Sequence, residues 1–357
     1  MPSCGIFSFL LKYFRKGGIF MSRTAYNEKN DRYIKQIEEL LEIFPYYIKD
    51  YIFHIEGRIL PSSRYSYLMD IKDFFEYLLE NNPLLQNFHD ITPQILDQLQ
   101  IQDFNEYLHQ VRNRVGEKAE SHKITALRSF FGFLCDNKYI SSREFSAIKN
   151  PKIPKNDTIT YLEPEEIQRF LQSIESGEFL GDNQKTWHNK QKERDLALLA
   201  LMLGTGIRVS ECVELDLADV HLDKNTLHLI RKGNKETNIF FSNTTKKYLQ
   251  PYYETRLSNK QLSSPALFLN RNGERISVRS VQKLVKKYAV PQVTGTKKIT
   301  PHKLRSTYGE NLYEKTGDIY LVADVLGHES VDTTKRHYTA VTENRKREAG
   351  KIDILRK

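Results

Sequence analysis

Gly204-Thr205-Gly206-Ile207-Arg208-Val209-Ser210-Glu211 follows directly on the run Leu196-Ala197-Leu198-Leu199-Ala200-Leu201-Met202-Leu203. An apolar stretch with no polar face is read as a helix buried on all sides. The glycines end it, and an arginine opens the next turn at once. The pattern predicts a central helix from Glu193 to Met202, with a charged junction at its end.

Downstream, Thr226–Ile230 and Thr237–Phe241 are β-like runs separated by Lys232-Gly233-Asn234-Lys235-Glu236, which is read as a hairpin. Ser277–Tyr288 is a basic amphipathic helix, and His302–Lys315 and Ile319–Leu326 are further helices. Upstream, Glu163-Pro164-Glu165-Glu166 suits a helix start, with Ile167, Phe170, Leu171 and Ile174 inward. Before it, Asn150-Pro151-Lys152-Ile153-Pro154-Lys155-Asn156 is read as an extended linker.

Residues 31–140 carry helical periodicity in four or five segments. Ile71, Phe74, Phe75 and Leu78 share one face, with Pro61-Ser62-Ser63 as a cap candidate ahead of them. Thr92-Pro93 opens a segment running to about Arg114. Ala119–Asn137 turns Ile124, Leu127, Phe130, Phe131 and Leu134 inward. The expected fold is mainly α with a small β-hairpin or sheet: a helical domain over 21–150, a linker over 151–160, and an α+β domain with a C-terminal tail over 161–357.

The 357 residues carry a net charge of +9, and 39% are hydrophobic, which excludes a wholly disordered chain. Residues 1–150 hold 19 basic and 19 acidic side chains, whereas residues 151–357 hold 35 and 26. The whole surplus therefore lies beyond the linker, as expected where a polyanion such as nucleic acid is bound. Cys4, Cys135 and Cys212 cannot build a disulfide framework or a Cys4 zinc site. No apolar run reaches the ~20 residues needed to span a bilayer, so a soluble, cytoplasmic protein is expected. Residues 1–20 are expected to be a non-native leader. Lys16-Gly17-Gly18 can be encoded by codons resembling a ribosome-binding site, just ahead of a start at Met21.

In the basic half, four sets stand out. They are Arg208 with Glu211; Lys232 in the hairpin; His302-Lys303-Leu304-Arg305, whose His and Arg share a helix face; and Leu326-Gly327-His328, followed by Asp332-Thr333-Thr334-Lys335-Arg336-His337-Tyr338. Each taken singly is commonplace. Together they offer fixed cations, proton donors and a nucleophile, the set that phosphate chemistry needs.

The order Arg…Lys…His-x-x-Arg…Gly-His…Tyr resembles the tyrosine recombinases, the family of phage-type integrases and Xer recombinases. The likeness covers about residues 160–345, and the helical first half is similar to the family's core-binding (SAM-like) domain. Lys232 stands 24 residues after Arg208, and His328 stands 26 after His302, in keeping with the family layout. Tyr338 lies ten residues after His328, where many relatives place the nucleophile at nine. Ser306 follows Arg305 where relatives often have histidine.

The resemblance implies a site-specific DNA recombinase that uses neither metal nor cofactor. Arg208 and Arg305 would clamp the scissile phosphate, His302 and His328 would donate hydrogen bonds, and Lys232 would protonate the leaving oxygen. Tyr338 would be the nucleophile and Glu211 a supporting residue. It further implies a homotetramer on two DNA sites. The tail, about Val341 to Lys357, would dock on a neighbouring subunit. An Xer role would add chromosome dimer resolution at a dif-like site, nucleoid association and a septal DNA translocase as partner. The alternatives are an integrase or excisionase of a phage or conjugative element and, in another class, a non-catalytic DNA-binding protein of the same fold.

Overall fold

The computed structural model describes residues 22–152, 160–231, 235–259, 264–328 and 331. The leader, the middle of the linker, the tail, Lys232 and Tyr338 lie outside the described residues. The chain divides into two compact units, Tyr26–Lys155 and Asn156–Lys357.

The first unit is helical: α1 (Ser22–Leu41), α2 (Tyr46–His54), α3 (Pro61–Asn81), α4 (Pro93–Gln98), α5 (Ile101–Val115) and α6 (Glu117–Asp136). The stripes expected on α3 and α6 are buried, and they meet in an aromatic core. Phe130 packs against Tyr47, Tyr51, Phe75 and Phe131, while Phe74 packs against Phe104, Tyr107 and Phe131. Two boundaries differ from expectation. Pro61 is itself the first residue of α3, so Ser62 and Ser63 lie inside the helix rather than capping it. The segment from Pro93 is two helices, not one. The Asp103 carboxylate accepts the Gln100 N–H at 2.8 Å and closes a fresh N-terminus there.

The second unit is mostly helical around a small sheet. It comprises α7 (Pro164–Ser176), α8 (Asp182–Thr205), α9 (Val209–Glu214), β1 (Val220–His221), β2 (Thr226–Arg231), β3 (Lys235–Phe240), α10 (Asn243–Ser258), α11 (Val278–Tyr288), α12 (Pro291–Thr294), α13 (Pro301–Thr316) and α14 (Ile319–Leu326). The sheet is antiparallel in the order β1-β2-β3. Its ladder runs from Thr226↔Phe240 to Arg231↔Lys235, so Lys235 and Glu236 belong to a strand rather than to the hairpin loop. The two-residue strand β1 was not expected.

Helix α8 is the centre of this unit and packs against α7, α10 and α13. Its apolar half is buried as the composition requires: Ala197, Leu198, Leu199, Leu201 and Met202 are fully enclosed. It begins at Asp182, eleven residues before the expected start at Glu193. That extra length is polar and has no apolar stripe. It is anchored by buried His188, whose Nδ1 lies 3.1 Å from the Tyr288 hydroxyl, and by Trp187, stacked with Arg271. No helix among the described residues is long and apolar enough to cross a membrane.

Candidate active site

The site grows from the two glycine-terminated ends of α8 and α14. At the end of α8, Gly206 takes a left-handed conformation (φ 64°), and its N–H caps Met202. A β-carbon there would collide with Tyr308 and Leu326, so glycine is required both for conformation and for space. Arg208 follows as the N-cap of α9. Glu211, one turn on and buried, accepts the Arg208 N–H at 2.8 Å and its Nη1 at 2.7 Å.

At the end of α14, Gly327 is also left-handed (φ 61°), and the His328 N–H returns to Ala323 O at 2.9 Å. This turn leaves the last carbonyls of α14 pointing outward, at the negative end of the helix dipole. Guanidiniums gather there. Arg208 donates from Nη2 to Gly327 O at 3.0 Å. Arg305, buried in the first turns of α13, donates from Nη1 to Gly206 O at 2.7 Å and from Nη2 to Leu326 O. It thereby ties the end of α8 to the end of α14.

Arg231, the last residue of β2, joins them. It donates to Val325 O at 2.6 Å and to Asp324 O at 3.3 Å, and its Nε stands 4.0 Å from Glu211 Oε1. Burial pulls its pKa below the ordinary arginine value, and neighbouring Arg208 adds to this, while Glu211 and Asp324 oppose it.

Of the residues expected at the site, Arg208, Glu211, Arg305 and the Gly327–His328 turn are thus held together. His302 is exposed on the first turn of α13, where Thr300 is the N-cap and Pro301 the first helical residue. Arg231 was missed from the sequence. The available signal was the strand alternation: it is in phase with buried Leu227 and Leu229, so it marks a charge in an inward position.

Residues 160–345 match the phage integrase family. The chain belongs to that family. The match spans all seven expected site residues, Lys232 and Tyr338 included. The chain is similar to the tyrosine recombinase XerS of Streptococcus agalactiae, with 28% identity over 91% of this chain and 100% of the relative. It is also similar to the tyrosine recombinase XerC of Caldanaerobacter subterraneus subsp. tengcongensis, with 32% identity over 81% of this chain and 80% of the relative. Among solved structures, the XerH site-specific recombinase bound to a palindromic difH substrate, a post-cleavage complex, matches with a TM-score of 0.60 and 21% identity. That match covers 82% of this chain and 80% of the other, a likeness of fold. The mainly α architecture with a small antiparallel sheet is therefore that of the phage integrase family's two-domain recombinases.

Proposed function

We propose that this tyrosine recombinase cuts and rejoins DNA at a specific site of the bacterial chromosome and resolves chromosome dimers there, as an Xer recombinase. The observation that carries the chemistry is the convergence of Arg208 and Arg305 on successive carbonyls of one helix end. The carbonyls bring both guanidiniums to one point, as gripping a phosphate requires, and Glu211 holds the other edge of Arg208. The similarity to XerS and XerC carries the biological setting.

In this reading, residues 161–357 form the catalytic domain, residues 21–150 the core-binding domain, and residues 151–160 the linker between them. Arg208 and Arg305 grip the non-bridging oxygens of the scissile phosphate. The Tyr338 phenolic oxygen attacks phosphorus, its proton passing to His302 or His328. The bond to the 5′-oxygen breaks, Lys232 supplies that oxygen's proton, and a 3′-phosphotyrosine remains. The new phosphodiester conserves the energy of the old one, so religation by another strand's 5′-hydroxyl needs no nucleotide. His302 and His328 donate hydrogen bonds to the phosphate as it gains charge. Glu211 holds Arg208 in place.

The assembly is a homotetramer on two DNA sites, and the tail, about 341–357, docks on a neighbouring subunit. A dif-like site, nucleoid association in the cytoplasm and a septal DNA translocase as partner belong to the same reading. To test it, the purified protein is incubated with chromosomal DNA, and covalently trapped fragments are sequenced. One site in the replication terminus region is expected. Trapping at the ends of a mobile element instead would contradict the chromosomal role.

A further inference from the structure

The carbonyl end of α14 is the floor of the site, and its last oxygens, Asp324 to Gly327, are taken by three guanidiniums. Arg208 and Arg305 belong to the proposed phosphate clamp. Arg231 does not, and it arrives from a different element, the end of β2.

Its side chain is 12% exposed against 39% for Arg208, so it is packed beneath Arg208. It nevertheless stands within ion-pair distance of what orients Arg208. Its Nε stands 4.0 Å from the Glu211 oxygen that Arg208 Nη1 grips at 2.7 Å. Its guanidinium also lies against Gly327, whose carbonyl holds Arg208 Nη2, and leaves no room for a β-carbon there. Burying a cation beside another cation is unfavourable, and an apolar side chain would fill this inward strand position at lower cost. Packing alone therefore does not account for an arginine here. Its hydrogen bonds to two successive carbonyls do, because only a planar, forked donor spans them.

We propose that Arg231 is a positioning residue for strand cleavage. It fixes the carbonyl end of α14 and adds its charge beside Glu211, and so holds Arg208 in the geometry that receives the phosphate. The inference rests on the phosphate clamp proposed above.

The test compares R231M, R231K, R208K and the double variant R208K/R231M on a nicked duplex carrying the mapped site. Covalent adduct formation is timed at saturating DNA, DNA affinity is measured separately, and melting temperature reports folding. R231M is expected to slow adduct formation about 10- to 100-fold, the scale set by a small misplacement of a reacting group. Its DNA affinity is expected to stay within about threefold, since a group that acts only in the transition state leaves binding alone. R231K, with charge but no fork, is expected to recover part of the rate. The double variant is expected to be within about threefold of R208K, because residues acting through one group are not additive.

An R231M rate within about twofold of the parent, or losses that multiply in full in the double variant, would overturn the proposal. If R231M does not fold, R231K decides: a slower rate at unchanged melting temperature supports the positioning role, and a parental rate overturns it. An R208K variant with the parental rate sinks the clamp and this inference together. A slow R208K beside a fast R231M sinks the inference alone.

Discussion

In the helical unit, several arginines each meet one carboxylate; around α14, three guanidiniums meet the carbonyls of one helix end. Arg112 grips Glu120 through two bonds of 2.7 Å, Arg64 grips Glu56 at 2.6 Å, and Arg114 grips Asp73 at 2.5 Å. Lys123 sits between Asp70 and Asp73. These pairs bring distant turns and neighbouring helices together and cancel charge as they do so. Arg305 and Arg231 donate to the carbonyls of Gly206, Leu326, Val325 and Asp324, and Arg208 to that of Gly327 as well as to Glu211. The same side chain thus does two different jobs. Paired with an acid, it fastens one helix to another. Bonded to the carbonyls at the negative end of a helix, it gathers positive charge at one point.

Substitutions in the two regions should separate stability from cleavage. Of these, the larger effect on cleavage is expected for Arg208→Lys, which replaces a planar fork by a point charge. Adduct formation at saturating DNA should fall about 10²- to 10³-fold, the scale of losing one preorganised donor to a transition state. Melting temperature and DNA affinity should hardly change. Phe130→Ala in the helical unit should do the reverse. Emptying this fully buried aromatic site is expected to cost about 3–5 kcal/mol of unfolding free energy. Below its lowered melting point, the rate per bound complex should match the parent. Equal losses of rate in both variants would break the comparison.

A smaller effect, confined to pH, sharpens it. Glu310 is buried on α13, the helix that carries Arg305. Burial pushes its pKa up to about 7, with Glu314 and Glu163 adding to the shift. A carboxyl raised in the folded state stabilises the fold while protonated, and that contribution is lost as pH rises through the folded value. Melting curves should therefore show Glu310→Gln gaining on the parent between pH 5 and pH 8. A constant difference across that range would contradict the assignment.

Much of this was legible in the sequence because local signals agreed. Asp318 and Gly327 bracket α14 at the bounds that the apolar run predicts, and Glu163-Pro164 with Glu166 caps α7 where expected. Arg208, Glu211, Arg305 and His328 were legible as members of a spaced set, and the fold brings together the elements that carry them. Other features depend on tertiary contacts that no periodicity records. The polar first half of α8 exists because His188 finds Tyr288 across 100 positions of sequence. The break between α4 and α5 turns on one carboxylate, Asp103. Arg231 is read as an ordinary solvated base until the strand phase of Leu227 and Leu229 is followed one step further.

In the proposed reaction, one phosphate is held by Arg208 and Arg305 and attacked by one tyrosine, Tyr338. This is tested most directly by trapping parent and Tyr338→Phe protein on the same nicked duplex and sequencing the peptide left on the 3′ end. The parent should yield an adduct on Tyr338, and the variant should bind the duplex without forming any adduct. An adduct of parental yield with the variant, or a parental adduct on another residue, would contradict the account.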